Sequence, residues 1–353
     1  MIGWTVIAIA VAANLLVLVS LAVLDSRMLP AAPWLRSGII SLACAATGII
    51  AWLVLSPVVA TSVVGVLYLP IAALGGVAAF LATLAVRGSG AGIVVTLAFG
   101  AIWSVAVFVP SAVLSFSTLP GPFGLEPVDH GGSLAVNIAG GAAALGVLIA
   151  GGTTARRPRS ATIRLSSGIG AVIAMSIGWI GWLAIAELAV DEVTPEIVLN
   201  GAIGALGGVA GWVAVQRIRH LRTTLGAVVA GLVSGLVSIT AGAPLFTPVS
   251  AAAAGVLSAA AACTFTISRV GASRRQQWFI VGSHLIAGGT GFFLLGLLAS
   301  GVGFAFTGQL LLIQNQLLSA ALVAVYSTAV SFLLWSVLKR IVASSTLRAV
   351  EMS

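Results

Sequence analysis

Charged side chains are scarce in this chain of 353 residues, where only 7% are Asp, Glu, Lys or Arg. Soluble domains carry about 25% charged residues, so the composition excludes an ordinary soluble protein. Apolar residues make up 60% of the chain, and the mean hydropathy is +1.19. These values predict an all-α polytopic membrane protein, in which each apolar segment crosses the bilayer as a helix.

Cysteine and histidine are also sparse. The two cysteines, Cys44 and Cys263, each lie in an apolar segment, so neither a disulfide framework nor a metal site is expected. The three histidines, His130, His220 and His284, lie in separate loops or helices, and no cluster of carboxylates or cysteines completes a metal shell. No phosphate loop, nucleophile elbow or pair of catalytic carboxylates is present. We therefore expect no metal, no cofactor and no enzyme of the soluble type.

Apolar segments of about 20 residues, separated by polar residues, Gly or Pro, predict eleven transmembrane helices. The weakest division is the one between the second and third segments, which only SPVVATS marks. The predicted spans are 2–24, 37–58, 63–86, 91–115, 133–152, 167–188, 196–215, 224–243, 248–268, 277–299 and 310–338.

The distribution of charge supports this number of helices. With eleven spans, all 16 basic residues fall on one side of the membrane. They occur at Arg27 and Arg36, Arg87, Arg156 to Arg164, Arg217 to Arg222, Arg269 to Arg275, and Lys339 to Arg348. The opposite side holds Glu126, Asp129, Glu187, Asp191, Glu192 and Glu196. The positive-inside rule then predicts a multi-pass protein of the cell membrane with its N-terminus outside and its C-terminus in the cytoplasm. The basic loops are sufficiently explained as topology determinants in contact with the lipid bilayer, so nucleic-acid binding is not expected.

An odd number of helices permits two inverted five-helix repeats followed by one further helix. The first repeat would span about 1–155, the second about 165–300, and the last helix about 310–340. In this arrangement the fifth and tenth helices are partners. They contain NIAGG at 137–141 and HLIAGG at 284–289, which share a short IAGG element.

His284 is the only ionisable residue between Trp278 and Leu298. An ionisable side chain within the membrane is costly to bury and marks a functional site by default. The alternative is a buried imidazole that hydrogen-bonds to a neighbouring helix.

Asp129 lies just before the fifth helix, in GLEPVDHGGSLAVNIAGG. It is either a solvated loop acid or helix N-cap, or a fixed negative charge beside a cation pathway. The adjacent His130 is interpreted as an incidental residue outside the membrane. His220, which lies among three arginines, is interpreted as part of a cytoplasmic basic loop.

Three segments resemble the ammonium transporter family, the Amt/Mep/Rh group. VDHGGSLAVNIAGGAAALG resembles the family's fifth-helix signature, in which an Asp precedes a Gly-rich turn and a polar pore residue. Residues 225–261 resemble the eighth and ninth helices. IVGSHLIAGGTG and GFAFTGQLLLIQNQLL resemble the tenth helix and the start of the eleventh. The resemblance runs from about Val109 to Arg348.

The resemblance implies a homotrimer in which each subunit has eleven helices and its own narrow hydrophobic pore. In this family two pore histidines face each other and are implicated in deprotonation of ammonium. His284 matches the second of them, whereas Asn137 stands at the first position. Asparagine can hydrogen-bond to an imidazole but cannot exchange a proton near neutral pH. Asp129 matches the aspartate that supports the external recruitment site.

Other positions also depart from the family pattern. Trp182 matches one gate phenylalanine and Ala72 the other, while Ala186 replaces a recruitment-site serine and Phe116 lies near a vestibule aromatic. Trp182 and Phe116 are equally compatible with plain helix or lipid packing. Val86 replaces the acid of an acidic-basic motif that follows the third helix. LRAVE at 347–351 resembles only the beginning of the family's longer tail, so regulation by a PII-type protein is not expected.

The sequence thus predicts transport of ammonium or ammonia through a hydrophobic pore, with deprotonation before passage. Two alternatives remain open. One is a non-transporting sensor or structural membrane protein on the same scaffold, which the altered gate and the missing histidine favour. The other is a channel for another small neutral solute.

Overall fold

A computed structural model describes residues 3–28, 34–59, 65–117, 119–151, 165–268 and 275–351. Within these ranges the chain is helical and contains no strand. The basic segments 156–164 and 269–274, which contributed to the predicted topology, lie outside the described residues, as does part of the boundary between the second and third spans.

Eleven apolar helices follow one another along the chain. Nine are long and apolar enough to cross a membrane, and the fifth and eighth are shorter apolar helices within the described residues. They are α1 (Trp4–Met28), α2 (Trp34–Val59), α3 (Tyr68–Arg87), α4 (Ile93–Phe116), α5 (Leu134–Ala150), α6 (Leu165–Ile185), α7 (Thr194–Ile218), α8 (Leu225–Ile239), α9 (Pro248–Ile267), α10 (Gln277–Leu298) and α11 (Leu311–Glu351). The prediction of an all-α polytopic membrane protein is confirmed.

The last helix is longer than predicted. It continues to Glu351, about three turns of helix beyond the expected end near 340. No Pro or Gly occurs between Trp335 and Glu351, so the sequence contains no residue that ends a helix there.

Small residues allow the helix backbones to approach closely. A Cβ atom on Gly255 of α9 would lie 2.2 Å from the carbonyl oxygen of Gly204 of α7, which is too close for any side chain. In lipid, where apolar side chains gain little from leaving the solvent, such contacts are what holds helices together. Helix α3 is the most enclosed of the long spans, because 89% of the residues in an apolar stretch of 18 residues are buried.

Helices α5 and α10 cross through their IAGG elements. A Cβ on Gly141 would lie 2.4 Å from the backbone nitrogen of Leu285, and one on Gly288 would lie 3.1 Å from Cγ1 of Ile138. Each helix has a π-helical segment at the crossing, Leu134–Ile138 in α5 and Val281–Ile286 in α10. Wider turns of this kind are frequent at functional sites. One contains Asn137 and the other contains His284.

Side chains of α11 form hydrogen bonds with α5 and with the residues that flank α5 at both ends. The amide of Gln316 pairs with both backbone groups of Val128 at 2.8 Å, just before α5. Farther along, the hydroxyl of Ser327 donates to the carbonyl of Ala139 at 2.7 Å. At the other end, the indole of Trp335 donates to the carbonyl of Gly151 at 2.8 Å.

A buried ion pair joins three helices at the end of the bundle where α1 and α3 finish. Nη1 of Arg87 lies 2.7 Å from Oδ2 of Asp25, and the two side chains are 12% and 4% exposed. The hydroxyl of Ser41 in α2 donates to the same carboxylate oxygen at 2.8 Å. Val86 stands where the family motif has an acid, and Asp25 of α1 provides the carboxylate that pairs with Arg87 instead. The sequence analysis did not predict this pairing.

Candidate functional site

An open cavity of about 570 Å³ lies at the opposite end of the bundle, and we call it the vestibule. Its walls come from the beginning of α3, the end of α4 and the connections α4–α5, α6–α7 and α8–α9. The lining residues are Leu67, Ser115, Phe116, Ser117, Val128, Asp129, His130, Ala186, Glu187, Val193, Pro244 and Leu245. The vestibule therefore brings together three of the predicted site residues, Asp129, Phe116 and Ala186.

Asp129 caps the first turn of α5. Its Oδ1 accepts the N–H of Ser133 at 2.7 Å and its Oδ2 accepts the N–H of Leu134 at 2.8 Å. The hydroxyl of Ser115 in α4 donates to Oδ2 at 2.7 Å. The first N–H groups of a helix lack partners within the helix, so a carboxylate is well suited to this position.

The tight turn between Asp129 and α5 depends on glycine. Gly132 has a φ of +77°, a conformation that L side chains rarely adopt. A Cβ on Gly132 would lie 2.6 Å from Cζ of Phe116, so the aromatic ring packs directly on the turn.

Burial and hydrogen bonding act on the Asp129 carboxyl in opposite directions. Burial away from water raises its pKa from the ordinary value of 3.8 to about 6, although the donors at Leu134, Ser115, Ser133 and Gly132 oppose the rise. The carboxyl is therefore mostly ionised near pH 7, and it provides a fixed negative charge at the vestibule wall.

His130 is part of the vestibule and is not an incidental surface residue. Its side chain is 8% exposed, and its Nε2 lies 2.7 Å from the carbonyl oxygen of Leu183. Its Nδ1 lies 3.6 Å from Oε1 of Glu187, whose side chain is 45% exposed. Burial lowers the pKa of His130, while the Leu183 carbonyl and Glu187 act to raise it. The position beside Asp129 was the one signal in the sequence that pointed to this role.

Trp182 lines a smaller cavity. The ring is 2% exposed, and its indole N–H donates to the carbonyl of Gly131 at 3.0 Å. Ala186, four residues farther along the chain and just past the end of α6, lines the vestibule, whereas Trp182 lines the smaller cavity. The hydrogen bond to Gly131 therefore holds Trp182 in place close to both cavities.

The smaller cavity, which we call the deep cavity, has a volume of about 20 Å³. This is enough for one water-sized molecule. Its polar lining comes from Asn14, Asn137, Thr240 and the indoles of Trp179 and Trp182. Asn14 was missed by the sequence analysis, although an amide in the middle of the apolar run of α1 is a recognisable signal.

Asn137 is completely buried and has an unused acceptor. Its Nδ2 donates to the hydroxyl of Ser133 at 3.0 Å, while its Oδ1 has no hydrogen-bond partner. A buried amide oxygen without a donor costs about 1–3 kcal/mol. The side chain is therefore prepared to accept a hydrogen bond from a molecule in the deep cavity.

His284 is 6% exposed. Oγ of Ser283 lies 2.8 Å from the carbonyl oxygen of Phe279 and 2.9 Å from Nδ1 of His284. The Ser283 hydroxyl has one proton, so it can donate to only one of these two partners.

The structure does not bring all of the predicted residues to one cavity. His284 lines neither the vestibule nor the deep cavity, and neither does Ala72, which is a buried residue of α3. The donor of Asn137 is directed to Ser133, so Asn137 and His284 lie in contacting π-helical segments but do not form the hydrogen-bonded pair that the sequence analysis considered.

Together these features define a multi-pass helical membrane protein with an acidic vestibule and a small, mainly apolar cavity deeper in the bundle. The Ammonium Transporter Family matches residues 90–352, which is well over half of the chain. The chain belongs to this family.

Proteins of known sequence agree with the assignment. An ammonium transporter of Mycobacterium tuberculosis (strain ATCC 25618 / H37Rv) is 30% identical over 271 residues, covering 69% of this chain and 56% of that protein. An ammonium transporter of Bacillus subtilis (strain 168) is 28% identical over 252 residues, covering 67% of this chain and 60% of that protein. The matched region is thus less than two thirds of the length of these relatives.

The fold is also similar to that of solved structures. Mep2 of Saccharomyces cerevisiae has a TM-score of 0.77 at 16% identity, over 95% of this chain and 87% of that chain. A protein described as a sensor Amt protein has a TM-score of 0.81 at 15% identity, over 96% of this chain and 93% of that chain. At these identities the likeness concerns the fold.

Proposed function

We propose that this protein carries ammonium across the cell membrane through a pore within each subunit and releases it as ammonia after deprotonation. The observation that carries the proposal is the pair of neighbouring cavities: an acidic vestibule, and a deep cavity lined by Trp182 and by Asn137, whose Oδ1 has no hydrogen-bond partner. Membership of the ammonium transporter family supports the choice of substrate.

Cations are recruited at the vestibule. The ionised carboxylate of Asp129 makes this surface attractive to positive charge, and the ring of Phe116 beside it offers a cation–π contact worth about 0.5–2 kcal/mol. Asp129 also caps α5, so the same carboxylate fixes the turn that separates the vestibule from the deep cavity.

Deprotonation follows from desolvation. An amine that leaves water for an apolar cavity loses the solvent that stabilises its charge, so its pKa falls and the neutral form is favoured. Ammonia has N–H donors, Asn137 Oδ1 is an unpaired acceptor, and the neutral ring of His284 has one acceptor nitrogen. Of these two residues only His284 can titrate, so a relay between two histidines is replaced by a single imidazole or by water.

We propose the same wider arrangement that the sequence predicts. The chain has its N-terminus outside and its C-terminus in the cytoplasm, it assembles as a homotrimer, and it is not an enzyme. Residues of about 1–155 and 165–300 form inverted repeats, followed by the last helix. The paired π-helical segments in α5 and α10 support this repeat.

The test is uptake of ammonium and methylammonium by proteoliposomes under an imposed gradient, together with the accompanying current. We expect flux in the wild type and at least a tenfold loss in Asn137→Ala, because the deep cavity then lacks its acceptor. His220→Ala, an exposed position on the α7–α8 connection, is the matched control and should transport normally. Absence of flux for both solutes, with no effect of His284→Ala, would remove the transport proposal.

One observation favours the non-transporting alternative. The buried Trp182, which lines the deep cavity, is held in place by its hydrogen bond to Gly131, as expected for a pore that stays shut. A stable protein partner recovered in mild detergent, without flux in the wild type or in Trp182→Ala, would support that reading. Flux of another small neutral solute without flux of ammonium would support the channel alternative.

A further inference from the structure

Two of the four asparagines in the chain line the deep cavity. Asn14 comes from the middle of α1, and Asn137 comes from the π-helical segment of α5. Both side chains are buried. Within a membrane no water replaces a missing partner, so an amide at this depth is costly unless its polar atoms form hydrogen bonds. The pairing of these polar atoms therefore shows what the cavity can hold.

The other polar side chains of the cavity wall have their hydrogens engaged within the protein. The indole N–H of Trp179 donates to Oγ1 of Thr240 at 3.0 Å. The hydroxyl of Thr240 donates in turn to the carbonyl of Leu236 at 2.6 Å. The indole N–H of Trp182 donates to the carbonyl of Gly131. These three side chains therefore offer no free donor to a molecule in the cavity.

The two amides differ from them, because their oxygens are open. Nδ2 of Asn137 donates to Ser133, and its Oδ1 has no partner. Nδ2 of Asn14 donates to the carbonyl of Ala10 at 3.2 Å, and a carbonyl can only accept, which fixes the orientation of this amide. Within the described residues that bond is the only one of the Asn14 side chain. The deep cavity is thus lined by two amides that can each accept a hydrogen bond.

One small molecule is within reach of both amides, because the cavity of about 20 Å³ has room for only one of the size of water. No ionisable side chain is among the described residues that line it, and an unpaired charge away from water is very costly. We propose that Asn14 and Asn137 together bind one molecule of neutral ammonia, and that Asn14 is a specificity-determining residue of the pore. The inference rests on the proposed function and adds a direct role for α1.

The two amides select their occupant by donors and by size. Ammonia has three N–H groups and can direct one to each amide oxygen. Methylamine keeps two N–H groups, but the cavity has no room for its methyl group. A potassium ion has no N–H and carries a charge that the wall does not balance. An apolar residue in place of Asn14 would leave a single acceptor, so this position on α1 sets how firmly ammonia is held.

Side-chain NMR can observe the site directly, since the chain has only four asparagines. The detergent-solubilised full chain, labelled with nitrogen-15 asparagine, is titrated with ammonium, methylammonium and potassium chlorides. The signals are assigned by their loss in Asn14→Leu and Asn137→Ala. We expect ammonium chloride to shift the Asn14 and Asn137 signals, methylammonium to act only at far higher concentration, and potassium to have no effect. Asn200, a buried amide that lines neither cavity, is the internal reference.

The pH distinguishes a neutral occupant from a cation. The fraction of ammonia in the titrant rises about tenfold for each pH unit while ammonium predominates. The apparent dissociation constant for total ammonium should therefore fall about tenfold between about pH 7 and about pH 8. The two amides do not titrate in this range, so the change comes from the ligand.

Asn14→Leu tests the α1 half of the site. Leucine has the same number of heavy atoms and the same branching, and Ala10 lies inside α1, where its carbonyl keeps its helix bond. The Asn137 signal should still respond, with an affinity two- to tenfold weaker, about the loss of one neutral hydrogen bond. Ser20→Ala removes a buried polar group of the same helix that lines neither cavity, and it should leave the affinity unchanged.

Four results would each overturn the proposal: no shift of either amide at saturation, an equal shift of Asn200, the same dissociation constant at both pH values, or an unchanged affinity in Asn14→Leu. Should Asn14→Leu not fold, the wild-type titration at two pH values still decides. The binding and flux results are separable. Ammonium flux with silent amide signals removes this site alone, and responsive amides without flux remove only the proposed transport.

Discussion

The burial of Asp129 predicts how the stability of the protein depends on pH. Its folded-state pKa is raised from 3.8 to about 6, chiefly by burial. At about 1.4 kcal/mol for each pKa unit, this rise corresponds to about 3 kcal/mol. Because the folded pKa is the higher one, the folded state binds the proton more tightly than the unfolded state. The stabilising contribution is fully present below about pH 4 and is lost as the pH rises through about 6.

The assay compares the wild type with Asp129→Asn, which cannot titrate. The free energy of unfolding is measured by denaturant titration in neutral-detergent micelles between about pH 4 and about pH 8. Other acids titrate in both proteins, so the difference between the two isolates Asp129. We expect the wild type to lose about 3 kcal/mol relative to Asp129→Asn across this interval. A difference that does not change with pH, or that moves in favour of the wild type as the pH rises, would refute the reasoning and show that the donors from Ser115, Ser133 and Leu134 outweigh burial.

Three further substitutions test contacts within the helix bundle, each by the midpoint of unfolding. Arg87→Met should cost about 3–5 kcal/mol, because it leaves a carboxylate buried without its partner. Trp182→Phe should cost about 1 kcal/mol through loss of the bond to the Gly131 carbonyl, and the larger deep cavity should raise methylammonium uptake relative to ammonium uptake. Gly141→Ala should prevent the crossing of α5 and α10, since its Cβ would lie 2.4 Å from backbone. Gly289→Ala should be tolerated, since nothing lies within 4 Å of its Cβ.

Each of these three predictions has a control and an outcome that would contradict it. Adding Asp25→Asn to Arg87→Met should recover most of the lost stability, and a double variant as unstable as the single one would contradict the ion-pair argument. Trp4→Phe removes an indole that is 78% exposed. An equal loss of stability in that variant would show that the effect of Trp182→Phe does not come from the hydrogen bond. Equal effects of the two glycine substitutions would contradict the close crossing.

The helices were predictable because their signal is local. Long apolar runs divided by polar residues predict all eleven spans. The location of the basic residues on one side of the membrane supports this number. The extension of α11 to Glu351 was missed because a length rule ends a span at the limit of the bilayer, whereas the helix itself continues until a residue stops it.

The site was only partly predictable because its geometry depends on distant residues. Asp129 and Phe116 could be chosen from the fifth-helix motif and its surroundings, and the structure places both in the vestibule. His130 could not be interpreted correctly, since its role depends on Leu183 and Glu187, more than fifty residues away in the chain. The partner of Arg87 was unpredictable for the same reason, because it comes from Asp25 across 62 residues.

The bonds between α11 and α5 have a consequence for the order of assembly. They join residues 184 to 189 positions apart in sequence, and they satisfy backbone carbonyls at Val128, Ala139, Ala150 and Gly151. In lipid no water replaces a missing donor. The helix that carries Asn137 is synthesised well before α11, yet these carbonyls obtain their donors only when α11 arrives. A polypeptide released before α11 would therefore leave the helix beside the deep cavity without these bonds.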